Sequence, residues 1–348
     1  MSVVYLSSSS GNDHNSGTSP SAPVASIAKA TALVHSGDTL LLKAGDSWNQ
    51  GLGNWSKSNT VIASYGTGAK PKINTVDDGL AIIRASNFTV RGISFTGLNN
   101  TNRNGIVTTG GNGNLTIDNC DVTGFRFNIT AQGYFGAING LKIINSTVTR
   151  TNGKGLSSGL YADNVHGLTM TNDVFDHNGG VGSMFNHGAY ITATCSNLVV
   201  TGCTFAFSAN YGMQARCGGT ISNNTFQSNS VGLSVGLVNG SGVNTAGGVV
   251  ANVTNNTFTG VGVGLHNGWG MDLGNIKSGV VSGNQFLNGT GQRYAYAISL
   301  DRGTAAGPQV GVNNLVISNN VARNWGSHVI NISPNAGARN VTIFGNIL

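Results

Sequence analysis

Ten short segments of the chain alternate apolar and polar residues and then reach a turn-prone pair. LTIDNCDV, LVVTGCTF and NVTNNTF are three of them, and in most copies an apolar residue follows the turn. Alternation with a period of two is typical of β-strands whose two faces meet different surroundings. One turn position recurs through the copies, as Ile93, Cys120, Ser146, Asp173, Cys203, Asn224, Asn256, Asn284, Asn320 and Asn346. Its successive members lie 21 to 36 residues apart.

This spacing is too long for a hairpin meander, and no helical pattern separates the copies. One strand-rich coil per repeat, stacked on the next, explains it. The sequence therefore predicts an all-β protein, a parallel β-helix of about ten coils in a single domain over residues 1–348. Asparagine suits the turns because it tolerates the left-handed backbone region. Stacked asparagine amides also hydrogen-bond along such a column, which predicts an asparagine ladder.

A second strand precedes each turn strand, and GLYAD, GAYIT, GMQAR and GMDLG are examples. Alternation directs the second residue of GAYIT, Ala189, towards the core and the third, Tyr190, away from it. Three adjacent copies then place one group of side chains on a shared outer face: Tyr161, Asp163, Tyr190, Gln214 and Arg216. His187 is ambiguous, because strict alternation buries it while a bend at Gly188 exposes it.

The N-terminal region departs from the repeat. Residues 1–50 predict a cap and a first strand, with an amphipathic helix near Val24–Val34 and a strand at Thr39–Lys43. A cap covers the otherwise exposed first coil, as the ends of repeat proteins require. The stacked coils are expected over residues 80–348.

Composition supports strands and turns and narrows the partners. The chain has 53 glycines, 9% charged residues and no glutamate. The net charge of +6 comes from scattered Lys and Arg, so no basic stripe indicates nucleic acid. No apolar run approaches a membrane span. The first residues, MSVVYLSSSSG, do not resemble a signal peptide, which leaves a mature secreted form, a phage protein or a cytosolic protein open.

The repeat, the predicted ladder and the opening segment YLSSSSGNDHNSGTSPSAPVASIAKATALVHSGDTLLLKAGDSW resemble the pectate-lyase-like superfamily of right-handed β-helices. That superfamily includes polysaccharide lyases, some glycoside hydrolases and phage tailspikes. The resemblance implies a right-handed parallel β-helix and an extracellular carbohydrate-active protein, secreted or part of a virion, whose partner is a polysaccharide, here an anionic one. It also implies a monomer or a homotrimer, and it places extended glycans on the outer face that carries Tyr161 and Tyr190.

The leading hypothesis is a lyase that cleaves a uronate-containing polysaccharide by β-elimination. This chemistry needs a group to neutralise the carboxylate, a base and an acid. The catalytic candidates are His187, Tyr190 and Arg216, with Arg216 holding the carboxylate. The candidates for substrate binding are Tyr161, Asp163, Gln214, Asp272, Asp301 and Arg302. No metal site is predicted and no cofactor is required, although related lyases use calcium and that alternative stays open.

Two other functions remain open. Asp272 and Asp301 face outward on successive coils at roughly 8 Å, a separation that fits an inverting glycoside hydrolase. In that hypothesis Arg302 helps to bind the sugar. The second alternative is a glycan-binding adhesin or tailspike shaft without catalysis, because a fold does not imply an activity.

Overall fold

Three parallel β-sheets make up most of the structure. The computed structural model describes residues 2–180, 183, 185–236, 245–262, 268–289, 295–301, 310–325 and 328–348. Within these residues every paired strand in the sheets is parallel to its neighbours, and strands adjacent in a sheet come from successive repeats. Each repeat supplies one strand to each sheet, which is the arrangement of a parallel β-helix.

The first sheet has thirteen strands. They are β1 Val3–Leu6, β2 Thr39–Lys43, β5 Val61–Tyr65, β8 Phe88–Arg91, β11 Gly113–Asp118, β14 Ile138–Ile144, β17 Val165–Thr171, β20 Val199–Thr201, β23 Gly219–Ser222, β26 Val249–Thr254, β29 Ile276–Ser282, β32 Leu315–Ser318 and β35 Thr342–Phe344.

The second sheet has eleven strands and follows the turn that carries the predicted ladder. They are β3 Ser47–Trp48, β6 Lys72–Thr75, β9 Ser94–Gly97, β12 Asp121–Thr123, β15 Thr147–Thr149, β18 Val174–Asp176, β21 Thr204–Ala206, β24 Thr225–Gln227, β27 Thr257–Thr259, β30 Gln285–Leu287 and β33 Val321–Arg323.

The third sheet also has eleven strands, and it carries the candidate site. They are β4 Asn54–Trp55, β7 Leu80–Ile83, β10 Asn104–Thr109, β13 Phe127–Gln132, β16 Ser158–Asp163, β19 His187–Ile191, β22 Tyr211–Ala215, β25 Val231–Val235, β28 Met271–Leu273, β31 Ile298–Leu300 and β34 Ile330–Ile332.

The core lies between the sheets and is built from like residues stacked coil on coil. Five phenylalanines of the second sheet stack with ring centroids 4.8 to 5.2 Å apart and nearly parallel planes, and all are fully buried. They are Phe175, Phe205, Phe226, Phe258 and Phe286. Each follows a ladder position by two residues, so the alternation that starts at the turn directs the ring inward.

The asparagine ladder is confirmed. Asn224, Asn256, Asn284 and Asn320 each donate from Nδ2 to Oδ1 of the next ladder asparagine, ending at Asn346, at 2.9 to 3.0 Å. Each also donates its backbone N–H to the same oxygen. The amides therefore join consecutive coils at the turn between the first two sheets.

The N-terminal cap is smaller than predicted. The helix α1 covers Ile27–Leu33, because Ser26 is its N-cap and accepts a hydrogen bond from the Lys29 N–H, while Val24 pairs with Leu6 in extended conformation. Stacked strands also begin before residue 80, since β3 and β4 already pair with β6 and β7. Among the described residues, no helix combines the length and the apolar character needed to cross a membrane.

Candidate functional site

The third sheet holds the outer column that the sequence predicted. Thr130, Tyr161, Tyr190 and Gln214 pair in register, and the column continues through Ser234 to Asp272 and Ser299. The residues on either side of each member are buried in the core, for example Leu160 and Ala162 beside Tyr161. The column therefore points away from the core, as expected from alternation.

The orientation of His187 depends on the bend at Gly188. A Cβ at Gly188 would lie 2.7 Å from Ser208 Oγ, and a Cβ at Gly232, in the same glycine column, would lie 2.7 Å from the core ring of Phe258. Gly188 and Ala189 therefore both face inward, and alternation is interrupted between them. The His187 ring consequently lies on the side of Tyr190, with their centroids 5.3 Å apart.

One cluster brings together residues from three coils. We call it the aromatic–arginine cluster and define it as Tyr161, His187, Tyr190, Gln214 and Arg216. The rings of Tyr161 and Tyr190 are 5.5 Å apart, and Arg216 Cζ lies 4.7 Å from the centroid of the Tyr190 ring. Arg216 Nε donates to Gln214 Oε1 at 3.3 Å. His187 and Arg216 therefore both contact Tyr190, so the three catalytic candidates lie together.

Exposure divides the cluster into an open part and a covered part. Tyr161, Tyr190 and Arg216 are half-buried, so a ligand can reach them. His187 is only 4% exposed and Gln214 only 2%. The expectation that Gln214 is open to substrate is therefore wrong: its side chain lies on the outer face but is covered. His187 is buried too, between the rings of Tyr190 and Tyr211.

Burial determines the protonation of the cluster. It lowers the pKa of His187 to about 3, with the positive charge of Arg216 as a second cause, so the imidazole is neutral at physiological pH. Burial raises the pKa of Tyr161 to about 12. It also raises the pKa of Tyr190, although Arg216 acts in the opposite direction. Both phenols are therefore protonated.

Asp163 lies beside the cluster and is engaged by neighbouring hydroxyls. Its Oδ1 accepts hydrogen bonds from Thr192 Oγ1 at 2.9 Å and from Thr194 Oγ1 at 2.7 Å. Both threonines belong to the next coil, so Asp163 fixes the segment that follows the Tyr190 strand.

The two candidate carboxyls of the hydrolase hypothesis differ in exposure. Asp301 is half-buried, whereas Asp272 has no exposed surface, and neither of its carboxyl oxygens has a hydrogen-bond partner within the described chain. Burial, and secondarily Asp301, raise the pKa of Asp272 well above its usual value. The expectation that Asp272 is open to a sugar is thus wrong, because its outward strand face is covered. Arg302 lies outside the described residues.

Sequence reasoning missed Phe127 and Arg126. Phe127 pairs in register with Ser158 and through it with His187, and its ring lies 5.8 Å from that of Tyr161. Arg126 Cζ lies 5.1 Å from the Phe127 centroid. Both residues lie directly before NITAQ, a strand segment of the same column, so the signal for them is their position at the N-terminal side of that strand.

Metal-binding side chains do not converge in the described part of the chain. No three His, Cys, Asp or Glu side chains there are close enough to hold one ion.

The stacked parallel sheets define the class of protein as a parallel β-helix. The chain belongs to the right-handed beta helix family, whose model matches residues 78–258, more than half of the sequence. A comparison with curated proteins finds no match.

Solved structures with the same fold have distant sequences. A lacto-N-biosidase from Eubacterium ramulus matches 99% of this chain over 67% of its own, with 11% identity and a TM-score of 0.54. The match to the pectate lyase Pel9A covers 97% of this chain and 78% of that chain, with 16% identity and a TM-score of 0.58. The match to the Dettilon tailspike protein covers 92% of this chain and 63% of that chain, with 13% identity and a TM-score of 0.62. This chain thus spans less than two thirds of that tailspike chain, and the likeness extends to the fold.

Proposed function

We propose that this protein is a carbohydrate-active enzyme, a lyase that cleaves an acidic, uronate-containing polysaccharide by β-elimination. The observation that carries the proposal is Arg216, a half-buried cation held against Tyr190 and Gln214 on the outer face of the third sheet. The names of several proteins with this fold, among them a pectate lyase and a rhamnogalacturonan lyase, are consistent with the reaction type. They do not decide it, because one fold supports many chemistries.

Arg216 suits the carboxylate of a uronate. A guanidinium binds a carboxylate through two parallel hydrogen bonds, and stacking on Tyr190 together with the Nε contact to Gln214 limits its orientation. Neutralising the carboxylate makes the hydrogen on the adjacent carbon more acidic, because the charge that develops in the transition state is stabilised.

His187 and Tyr190 suit the two proton transfers. The His187 imidazole is neutral, and its buried Nδ1 has no hydrogen-bond partner among the described residues, so it can accept the proton from carbon once the substrate displaces the Tyr190 ring that covers it. The Tyr190 phenol is protonated and can donate to the departing glycosidic oxygen as the carbon–oxygen bond breaks and the double bond forms. A carboxylate bound to Arg216 offsets the positive charge that helps to lower the pKa of His187, so substrate makes His187 a stronger base.

The partner in this proposal is an anionic polysaccharide, met outside the cell. The reaction assigned to His187, Tyr190 and Arg216 requires no cofactor. Tyr161 packs against the sugar, the covered Gln214 orients Arg216, and Asp163 positions the segment after β19 through its two threonines.

The test is incubation with alginate, pectate and capsular polysaccharides while ultraviolet absorbance and product mass are recorded. A lyase gives an unsaturated, absorbing product that is one water lighter than the hydrolysis product. In Arg216→Ala we expect kcat to fall about 100-fold or more, because the charge-stabilising group is lost. Arg91→Ala, which removes an exposed arginine from β8 in the first sheet, is the matched control. Turnover by Arg216→Ala equal to that of the control would rule out this site.

One observation favours an inverting hydrolase as a second candidate. Burial raises the pKa of Asp272, which favours its protonated form, and the half-buried Asp301 directly follows the neighbouring strand β31. The complete burial of Asp272 weighs against it. Reducing ends without ultraviolet absorbance, abolished in Asp301→Asn but kept in Arg216→Ala, would identify the hydrolase. Binding without either product would instead indicate an adhesin.

A further inference from the structure

A second cationic site lies beside the aromatic residues of the third sheet. A shallow cavity of about 350 Å³, open to solvent, is lined by Asn102, Arg126, Lys154 and Gly155, which come from three successive coils. Lys154 is exposed and Arg126 half-buried. Neither has a carboxylate within 4.0 Å among the described residues, so the two positive charges in this cavity are not neutralised there.

Arg126 is held in place by contacts that leave its terminal nitrogens available. Its Nε donates to the Leu156 carbonyl at 2.9 Å, and its Cζ stacks 5.1 Å from the Phe127 ring. Ser157 Oγ donates to the Arg126 carbonyl at 2.8 Å. The Nη atoms of Arg126 make no hydrogen bond within the described chain. A fixed guanidinium with two free nitrogens is suited to a carboxylate because little side-chain freedom is lost on binding.

A row of aromatic rings joins this cavity to the aromatic–arginine cluster. The ring centroids of Phe127 and Tyr161 are 5.8 Å apart, and those of Tyr161 and Tyr190 are 5.5 Å apart. Arg126 stacks at one end of the row and Arg216 at the other. The row crosses the strands from β13 to β19, which is roughly 10 Å at the usual strand spacing, and Arg216 follows β22, one strand further on. The row therefore runs along the helix axis, with a cation at each end.

We infer that the cavity at Arg126 and Lys154 binds a second acidic group of the polysaccharide cleaved at Arg216. The polymer then lies parallel to the helix axis, with its rings against Phe127, Tyr161 and Tyr190. This inference rests on the proposed function and deepens it. It makes the substrate a run of several sugars with acidic groups at separate positions, and a disaccharide held at Arg216 leaves the cavity empty.

The test is calorimetric binding of acidic oligosaccharides of defined length, oligogalacturonates and oligomannuronates from two to eight sugars. In Arg126→Ala/Lys154→Ala we expect Kd to rise about tenfold or more for the longer oligomers, since two charge-assisted contacts are lost. Kd for the disaccharide and kcat on polymer should stay unchanged. Lys142→Ala/Lys277→Ala removes the same charge from two exposed lysines of the first sheet and is the matched control.

Four outcomes would overturn the inference. They are unchanged binding in the double variant, an equal loss at every length, an equal loss in the control pair, and no binding of any acidic oligomer. The result is separable from the proposed function, because binding is measured without turnover. A length-dependent loss without any cleavage would retain the cavity and reject the lyase. Cleavage of polymer with unchanged binding in the double variant would reject the cavity and retain the lyase.

Discussion

At the scale of single residues, two consecutive residues have different roles in the turn between the first two sheets. From the sequence, one asparagine per turn was expected both to adopt the left-handed backbone and to form the ladder. In the structure the residue before the ladder position has the positive φ, such as 57° at Asn223 and 56° at Asn255, while Asn224 and Asn256 form the ladder. Glycine replaces the first residue in some coils, as at Gly202 and Gly283. Asn and Gly tolerate this conformation better than other residues, which explains the recurring pairs.

Asp173 is the exception in the ladder column, and its burial predicts a pH-dependent stability. Burial raises the pKa of Asp173 to about 7, although the hydrogen bonds that its carboxyl accepts from the backbone N–H groups of Ser146 and Thr171 lower the pKa. The folded state thus holds a proton between about pH 4 and 7 that the unfolded state releases, so this group's stabilising contribution is lost as pH rises through about 7.

Asp173→Asn removes this titration and places an amide where other coils already have one. We expect the free energy of unfolding of the variant, relative to the parent, to improve by roughly 2–4 kcal/mol between pH 4 and pH 8. Urea unfolding at several pH values measures it, with the exposed Asp77→Asn as control. A difference between Asp173→Asn and the parent that does not change with pH would show that the carboxyl is not responsible.

At the scale of elements, the ladder joins one coil to the next through buried amides. Asn256 accepts from both nitrogens of Asn224 at 2.9 Å, and its own Nδ2 donates to Asn284 Oδ1 and to the Ile221 carbonyl. Because the site is built from residues of different coils, whatever keeps the coils in register also keeps the site together.

Asn256→Ala should therefore be costly. It leaves the Asn224 N–H, the Ile221 carbonyl and the Asn284 Oδ1 each short of a partner, and we expect the free energy of unfolding to fall by about 3 kcal/mol or more. Asn255→Gly is the neighbouring control, with an expected change within about 0.5 kcal/mol, since other coils have glycine at that position. Denaturant unfolding of both variants measures the difference. Equal costs would mean that the ladder hydrogen bonds contribute nothing specific.

At the scale of the whole molecule, each coil contacts chiefly its two neighbours, so a complete coil can be removed while the local contacts are retained. Deleting residues 224–255 joins Asn223 to Asn256 and so rebuilds the same Asn–Asn turn. Deleting residues 203–223 joins Gly202 to Asn224 and also keeps the ladder, but it removes Gln214 and Arg216.

We expect both shortened chains to keep the circular dichroism spectrum of a β-protein. Only the first should bind acidic oligosaccharides with the affinity of the parent, because it retains the whole aromatic–arginine cluster. Circular dichroism and calorimetry check the two expectations. If the deletion of residues 224–255 fails to fold, coils are not the independent units assumed here. If the deletion of residues 203–223 binds as well as the parent, Arg216 does not hold the ligand.

Much of the fold and part of the site could be predicted from local sequence. The columns Tyr161–Tyr190–Gln214 and Ser234–Asp272–Ser299 pair as alternation indicated, and the asparagine ladder lies where the turns recur. The predicted bounds of the N-terminal helix and of the first coils were less accurate, because the turn repeat begins only at Ile93 and capping by Ser26 shortens the helix.

By itself, the sequence determined the coil repeat, the ladder and the face to which the column of Tyr161, Tyr190, Gln214 and Asp272 points, but not the face of His187. These follow from a period of two and from turn chemistry, which depend on neighbours along the chain. Only the tertiary structure decided that Gln214, His187 and Asp272 are covered, that the His187 imidazole is neutral, and that Phe127 and Arg126 extend the row of rings. Burial and proton affinity depend on what packs over a side chain in space, and the repeat pattern does not contain that information.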